Sequence, residues 1–224
     1  YLKFLESIGV DAIIVADMGI FSLAKRVAPG LELHVSTQAS TTNWHTVQMW
    51  KELGATRVVA AREVSLADLK EMKDNVDIEI ESFVHGSMCI SYSGRCLLSN
   101  YMTGNRDANR GQCSQSCRWK YSLVESNRPG EYYPIEEDEH GTYIFNSKDL
   151  CLIHRIPDLY EAGIDSLKIE GRMKSVHYCA TVAKVYRTAI DIYLKEGKDW
   201  YVRPEWIAEL EKISHRPYTD GFAE

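Results

Sequence analysis

Gly54-Ala55-Thr56-Arg57-Val58-Val59 is the clearest of three similar joints, the others being Gly9-Val10-Asp11-Ala12-Ile13-Ile14-Val15 and Gly163-Ile164-Asp165-Ser166-Leu167-Lys168-Ile169. In each, a Gly follows a helix-like stretch and precedes a short β-branched run, the pattern of a helix C-terminal stop before a buried strand. Leu31-Glu32-Leu33-His34-Val35 and Asp77-Ile78-Glu79-Ile80-Glu81 read as two further strands, with helices expected near 19–28, 42–53 and 65–74. Strands that alternate with helices imply an α/β fold with a parallel sheet. The evenness of the units and the lack of a Gly-rich phosphate loop favour a (β/α)8, TIM-barrel-like core over an open doubly wound sheet. A full barrel needs about 250 residues, and here the chain begins in a helix and supplies five clear units. The expectation is a partial barrel over residues 1–200 that lacks its first strands.

The pattern breaks after the fourth strand. Residues 86–145 read as a Cys-rich insertion at a strand C-terminal end, the place where barrel active sites lie. A long helix follows from about Val176 to Leu194 and another over 203–215, and residues 201–224 read as the start of a C-terminal extension.

Composition narrows the function classes. With 224 residues, 45% apolar and 26% charged, the chain is of globular type and long enough for one ordinary core. No apolar run approaches the roughly 18 residues of a spanning helix, and Tyr1-Leu2-Lys3 shows no signal-peptide pattern. The expected setting is cytoplasmic, in a piece of a longer protein, with no membrane partner. A net charge of -6 excludes a uniformly basic nucleic-acid coat and leaves a local basic site open.

Four of the six cysteines, Cys89, Cys96, Cys113 and Cys117, fall within 29 residues. In a chain without a secretory signal, metal binding or redox chemistry is the expected cause. No tight CxxC pair of the zinc-ribbon kind occurs, and wider spacings on a folded loop suit an iron-sulfur cluster, with zinc an alternative. Cys151, read at the start of a helix whose dipole stabilises a thiolate, is a fifth candidate. Cys179 reads as a core residue inside a helix.

The same segment is basic. Over 86–120 Arg95, Arg106, Arg110, Arg118 and Lys120 stand against Asp107 alone, a local net of +4 with Tyr92, Tyr101 and Trp119 interleaved. Cations among stacking rings suit single-stranded RNA. The competing reading is that the arginines balance cluster thiolates or the acidic run Glu136-Glu137-Asp138-Glu139. Polar residues also collect where strands end: Asp17, Ser36-Thr37-Gln38, Arg62-Glu63, His85 and Glu170-Gly171-Arg172. A substrate carboxylate suits Arg62 or Arg172, and Glu81, His85 or Glu170 suit proton transfer.

Glu81-x-Phe83-x-x-Gly86-Ser87-Met88-Cys89-x4-Gly94-x-Cys96-x-Leu98-Ser99 resembles the signature of peptidase family U32, the collagenase-like proteins. Asn105 to Gly111, Cys117-Arg118-Trp119, Asn146 to Leu150 and Lys168 to Lys174 are similar to the branch that makes 5-hydroxyuridine at the tRNA wobble position. That resemblance implies a TIM-barrel-like core, a [4Fe-4S] cluster, and oxygen-independent hydroxylation with prephenate as hydroxyl donor. Its implied ligands are Cys89, Cys96, Cys113 and Cys151, with Cys117 beside them, whereas spacing alone selects Cys117 over Cys151. The implied partners are the tRNA anticodon region, a small carboxylate such as prephenate, and a paralogous subunit. Two other readings stand beside it: a cysteine-dependent peptidase in which a thiol pairs with His85, and a scaffold for an iron-sulfur partner. No HExxH or G-x-S-x-G motif supports proteolysis.

Overall fold

The computed structural model describes residues 1–119, 122–124, 126–131, 133–134 and 148–223. Lys120, the acidic run 136–139, and Asn146 and Ser147 lie outside the described residues, as does part of the span 86–145. Helix α1 (Leu2–Ser7) leads into β1 (Ala12–Val15), α2 (Met18–Val27), β2 (Glu32–Val35), α3 (Trp44–Leu53), β3 (Arg57–Val59), α4 (Leu66–Asn75) and β4 (Glu79–Ser87). Short α5 (Leu98–Thr103) and the two-residue strands β5 (Ser122–Leu123) and β6 (Tyr133–Pro134) lie in the segment that follows. The chain then forms β7 (Asp149–Cys151), α6 (Ile156–Glu161), β8 (Ser166–Ile169), α7 (Val176–Glu196), α8 (Pro204–Glu211) and β9 (Tyr218–Thr219).

Local chemistry sets these boundaries. Asp17 and Asn43 accept hydrogen bonds from the first turns of α2 and α3, and Ser65 with Asp68 forms a capping box on α4. α3 ends at Gly54 in the left-handed conformation, as the joint predicts. β1, β2, β3 and β4 pair in parallel in sequence order, and β8 adds parallel to β4. Among the described residues β1 pairs only with β2 and β8 only with β4, so this sheet does not close on itself.

The two faces of the sheet differ. Val15, Leu33, Val35, Val58 and Ile80 are buried against Phe21, Val47, Trp50, Leu69 and Met72 of α2, α3 and α4. Each such side chain contributes about 1.5–3 kcal/mol. On the other face Ile14, His34, Arg57 and Glu79 sit in register. There Glu81 pairs with Lys168, accepts from Ser166 at 2.8 Å and lies 3.3 Å from Arg57. That face is therefore polar, and it leads along the strands toward their C-terminal ends.

β4 extends six residues past its expected end at Glu81. The extension exists because β4 is paired on both sides: β8 follows it with an irregularity between Phe83 and His85, and β7 pairs antiparallel with His85, Gly86 and Ser87. Cys151, expected at a helix start, instead closes β7, and α6 begins only at Ile156. β9 pairs parallel with β7, and Trp206, Leu210, Ile213 and Ala223 join the core that includes Val84, Leu150, Tyr178, Val182 and Tyr186. Residues 201–223 are thus built into the same sheet and core. No helix among the described residues is long and apolar enough to cross a membrane.

Candidate active site

A cavity of about 310 Å3 lies at the C-terminal ends of the parallel strands. Thr37 and Gln38 reach it after β2, Arg62 after β3, Ser87 to Cys89 from the end of β4, and Glu170 to Arg172 after β8. The remaining wall is the loop after β4, through Cys96, Cys113 and Cys117.

Several of that loop's apolar side chains, Leu97 and Tyr101 among them, stay exposed, and the loop is held by polar contacts at its turn. Ser93, 1% exposed, accepts from Arg62 N at 3.2 Å and from Thr37 Oγ1 at 3.3 Å through its hydroxyl, and donates that hydroxyl to Glu63 Oε2 at 3.0 Å. Its N–H also donates to Glu63, and its carbonyl accepts from Ser40 Oγ at 2.6 Å. Gly94 lies directly on the Gln38 backbone. Further along, Gln38 Nε2 donates to Ala108 O at 2.9 Å, and Arg172 donates to the carbonyls of Gly111 and Cys113. The cysteine-bearing wall is thereby joined to the ends of β2, β3 and β8.

The four thiols of Cys89, Cys96, Cys113 and Cys117 are distributed around this cavity. Among the described residues no three Cys, His, Asp or Glu side chains converge on one point where a single ion would sit. Gln115 N donates to Cys113 Sγ at 3.3 Å. Burial pushes the Cys89 thiol up, against the backbone N–H of Ser91 and the Arg62 charge. Arg62 lies over the Phe83 ring at 3.9 Å, and its guanidinium makes no hydrogen bond or ion pair among the described residues. Desolvation lowers its pKa, and the charges that oppose this are Cys89, Glu170, Glu63 and Cys113. A guanidinium cannot shed its proton. A buried cation of this kind calls for an anion in the cavity. Glu170 adds a second orphan: its Oε1 accepts from Arg172 N at 3.3 Å, while its Oε2 is shielded from solvent and unpaired.

The other sequence-selected residues fall elsewhere. Glu81 lies on the polar sheet face below the cavity. Burial raises its pKa, but hydrogen bonding and charge from Lys168, with Ser166 and Arg57, outweigh this and keep it ionised. His85 does not line the cavity. The strand irregularity turns it into the core, where its ring meets Tyr178, Tyr186 and Tyr218, and Nε2 has no partner. Burial lowers its pKa to about 4, which leaves it neutral. Cys151 is also buried in the core, beside Tyr186, and burial pushes its thiol up rather than toward a thiolate. The physical reason is desolvation, which outweighs the hydrogen bond to the thiol from the backbone N–H of Ile153, at the helical turn that follows β7.

The basic residues divide into two groups. Arg118 pairs with Asp149, which is fully buried, lies 3.6 Å from Lys174 and accepts from Arg216 N at 3.1 Å. Arg95, Arg106 and Arg110 stay exposed at the rim with Tyr92 and Tyr101, although Arg106 Nε donates to Gln112 O at 3.1 Å and Arg110 faces Asp107 at 3.5 Å. Asp17 caps α2 and does not reach the cavity. Sequence reading gave no role to Ser93, and quoted Gly94 and Asp149 only within the family motifs. A Ser-Gly pair in a polar loop is a generic turn signal, and nothing local marks the chain it will dock on.

The family model of peptidase family U32 matches residues 1–224. A tRNA hydroxylation protein P1 of Bacillus subtilis (strain 168) is 52% identical across all of this chain and 53% of its own length. A tRNA hydroxylation protein P of Escherichia coli (strain K12) is 41% identical over 99% of this chain and 57% of its own length. A 23S rRNA 5-hydroxycytidine synthase of Escherichia coli is 36% identical over 96% of this chain and 32% of its own. The chain spans about half the length of the first two relatives.

Proposed function

The chain belongs to peptidase family U32, and from that premise we propose that it acts in the hydroxylation of an RNA base, with tRNA as substrate class and a [4Fe-4S] cluster as redox group. The carrying observation is the gathering of Cys89, Cys96, Cys113 and Cys117 around one cavity beside the unpaired cation Arg62. Thiolates supplied from separate turns suit a polynuclear cluster better than a single ion, and Arg62 fits the negative charge of a thiolate-held group. We take Cys117 as the fourth ligand in place of Cys151, because Cys117 lines the cavity and Cys151 stands in the core. Relatives named for tRNA and rRNA hydroxylation support the reaction class.

When bound, the cluster supplies electron transfer beside the substrate. The chain's own residues do the rest. Arg62 holds an anion against the thiol wall, Arg172 fixes that wall to β8, and Glu170 presents an unpaired carboxylate oxygen able to take or give a proton. The rim of Arg95, Arg106, Arg110, Tyr92 and Tyr101 receives an RNA loop through phosphate contacts and stacking. The finer reading is conversion of wobble uridine to 5-hydroxyuridine without molecular oxygen, a small carboxylate such as prephenate giving the hydroxyl, in the cytoplasm. The order β1-β2-β3-β4-β8 supports a companion reading, in which the sheet is five consecutive strands of a (β/α)8 barrel.

Proteolysis lacks its pair of groups: among the described residues Cys89 faces the cavity, whereas His85 faces three tyrosines. Nucleoside mass spectrometry of tRNA from a strain without this protein and its paralogues tests the proposal. The expected result is loss of 5-hydroxyuridine-derived nucleosides, restored by the wild-type gene and not by Cys89→Ala. An unchanged nucleoside profile would refute it.

A further inference from the structure

A second cavity, of about 520 Å3, lies on the far side of Cys89. It shares Arg62, Met88 and Cys89 with the cysteine cavity, so the two cavities adjoin along these three residues. The outer chamber is completed by Glu63, Ile90, Ser91, Tyr92, Arg95 and Phe222. Its size falls within the range of about 300–1,000 Å3 that holds small ligands.

Its lining has the chemistry of a nucleotide site. Tyr92 and Phe222 leave two large rings 71% and 56% exposed, surfaces for a stacked base. Arg95 is exposed and makes no side-chain hydrogen bond or ion pair among the described residues, so it is free to meet a phosphate. Glu63, the one carboxylate in the lining, is already occupied by the N–H and hydroxyl of Ser93. The hollow around Arg106, Gly111 and Met173 contains no aromatic ring, and its Arg106 already donates to Gln112 O.

We infer that the outer cavity receives one nucleotide extruded from an RNA loop, stacked on Tyr92 and Phe222 with its phosphate on Arg95. The edge of the base then faces the Cys89–Arg62 wall. A base still within a helical stack does not reach such a wall, so extrusion is part of the inference. It rests on the RNA-hydroxylation reading and assigns that reading a base site separate from the thiol cavity.

The test uses full-length protein reconstituted anaerobically with iron and sulfide, and a labelled anticodon stem-loop RNA carrying 4-thiouridine at the target position. Tyr92→Ala and Phe222→Ala are each expected to weaken binding about tenfold, with iron content and melting temperature unchanged. Tyr92→Phe keeps the ring and stays within about twofold of wild type, as does Tyr201→Ala, a control at an exposed tyrosine that lines neither cavity. Photocrosslinks are expected in the peptides that hold Tyr92 or Phe222. Crosslinks confined to the Tyr101 or Trp119 region, with wild-type binding by Tyr92→Ala, would overturn the base site and leave the hydroxylation reading standing. Failure of the cluster-loaded wild type to bind or modify this RNA would remove that reading, and the base site with it.

Discussion

Gly94 and Gly104 differ in a way that isolates how the cysteine loop is held. Their φ angles are +74° and +79°, both left-handed. Nothing lies within 4 Å of a Cβ built on Gly104, so Gly104→Ala carries only backbone strain, about 1–2 kcal/mol. A Cβ on Gly94 falls well inside contact with the Gln38 carbonyl oxygen, and 2.9 and 3.0 Å from its carbonyl carbon and Cα. Those are backbone atoms at the end of β2 and cannot swing aside. Relief requires the loop to lift, which endangers the hydrogen bonds of Ser93 to Thr37, Ser40, Arg62 and Glu63. Each contributes about 0.5–1.5 kcal/mol net, more where the carboxylate takes part. The expected cost for Gly94→Ala is about 3–6 kcal/mol, shared between lower global stability and a detached loop. Thermal unfolding and iron content after anaerobic reconstitution report the two parts. Gly104→Ala should lower Tm by a few degrees, at about 2–4 °C per kcal/mol for a chain of this size, and retain its iron. Gly94→Ala should lose most of its iron whatever its Tm. If the two variants match in both readouts, the loop is not seated on Gln38 and the reasoning fails.

Three further outcomes are expected. Cys117→Ala should lose iron and sulfide on reconstitution, whereas Cys151→Ala should keep both and lose stability by about 1 kcal/mol as a small core truncation; the reverse pattern would restore Cys151 as the ligand. His85, with a folded pKa of about 4 set by burial and opposed by Asp149, excludes a proton that the unfolded chain binds below its ordinary 6.5. Stability should therefore be level above about pH 6.5 and fall toward pH 4, by up to about 3 kcal/mol, and His85→Asn should flatten that slope in pH-dependent urea melts. Arg106→Gln and Arg110→Gln should each weaken RNA binding similarly across sequences and reduce the salt slope by about 1; a loss specific to one sequence would count against a phosphate role.

The early strands and helices were legible because each carries its own stop and start: Gly54 ends α3, Ser65 and Asp68 open α4, and the β-branched runs between them have no other use. The extension of β4 was not, since Gly86 and Ser87 read as loop residues until β7 and β8 supply partners on both sides. β7, three residues long, is too short to show a period, and Cys151 was misplaced for that reason. At the site, the strand-end rule located Arg62, Glu170 and Arg172 beside the clustered cysteines. It could not foresee that Arg172 is occupied with loop carbonyls, that Arg118 is taken by Asp149, or that an irregularity turns His85 inward. Those outcomes depend on contacts between residues about 30 to 90 positions apart, which no local pattern encodes.

Asp149 joins three stretches made at different times during synthesis: Arg118 beside the last loop cysteine, Lys174 ahead of α7, and Arg216 ahead of β9. Its side chain is fully buried, so removing any one partner leaves an anion out of water with too little compensation. The cysteine loop and the final segment should consequently open and close together in hydrogen exchange, as one cooperative unit distinct from β1 to β4. Arg216 follows Cys117 by 99 residues, an interval of about 5–20 seconds of synthesis. During that interval the loop's thiols have been made, but Asp149 still lacks the Arg216 contact, so the loop exists before the contacts that anchor it are complete.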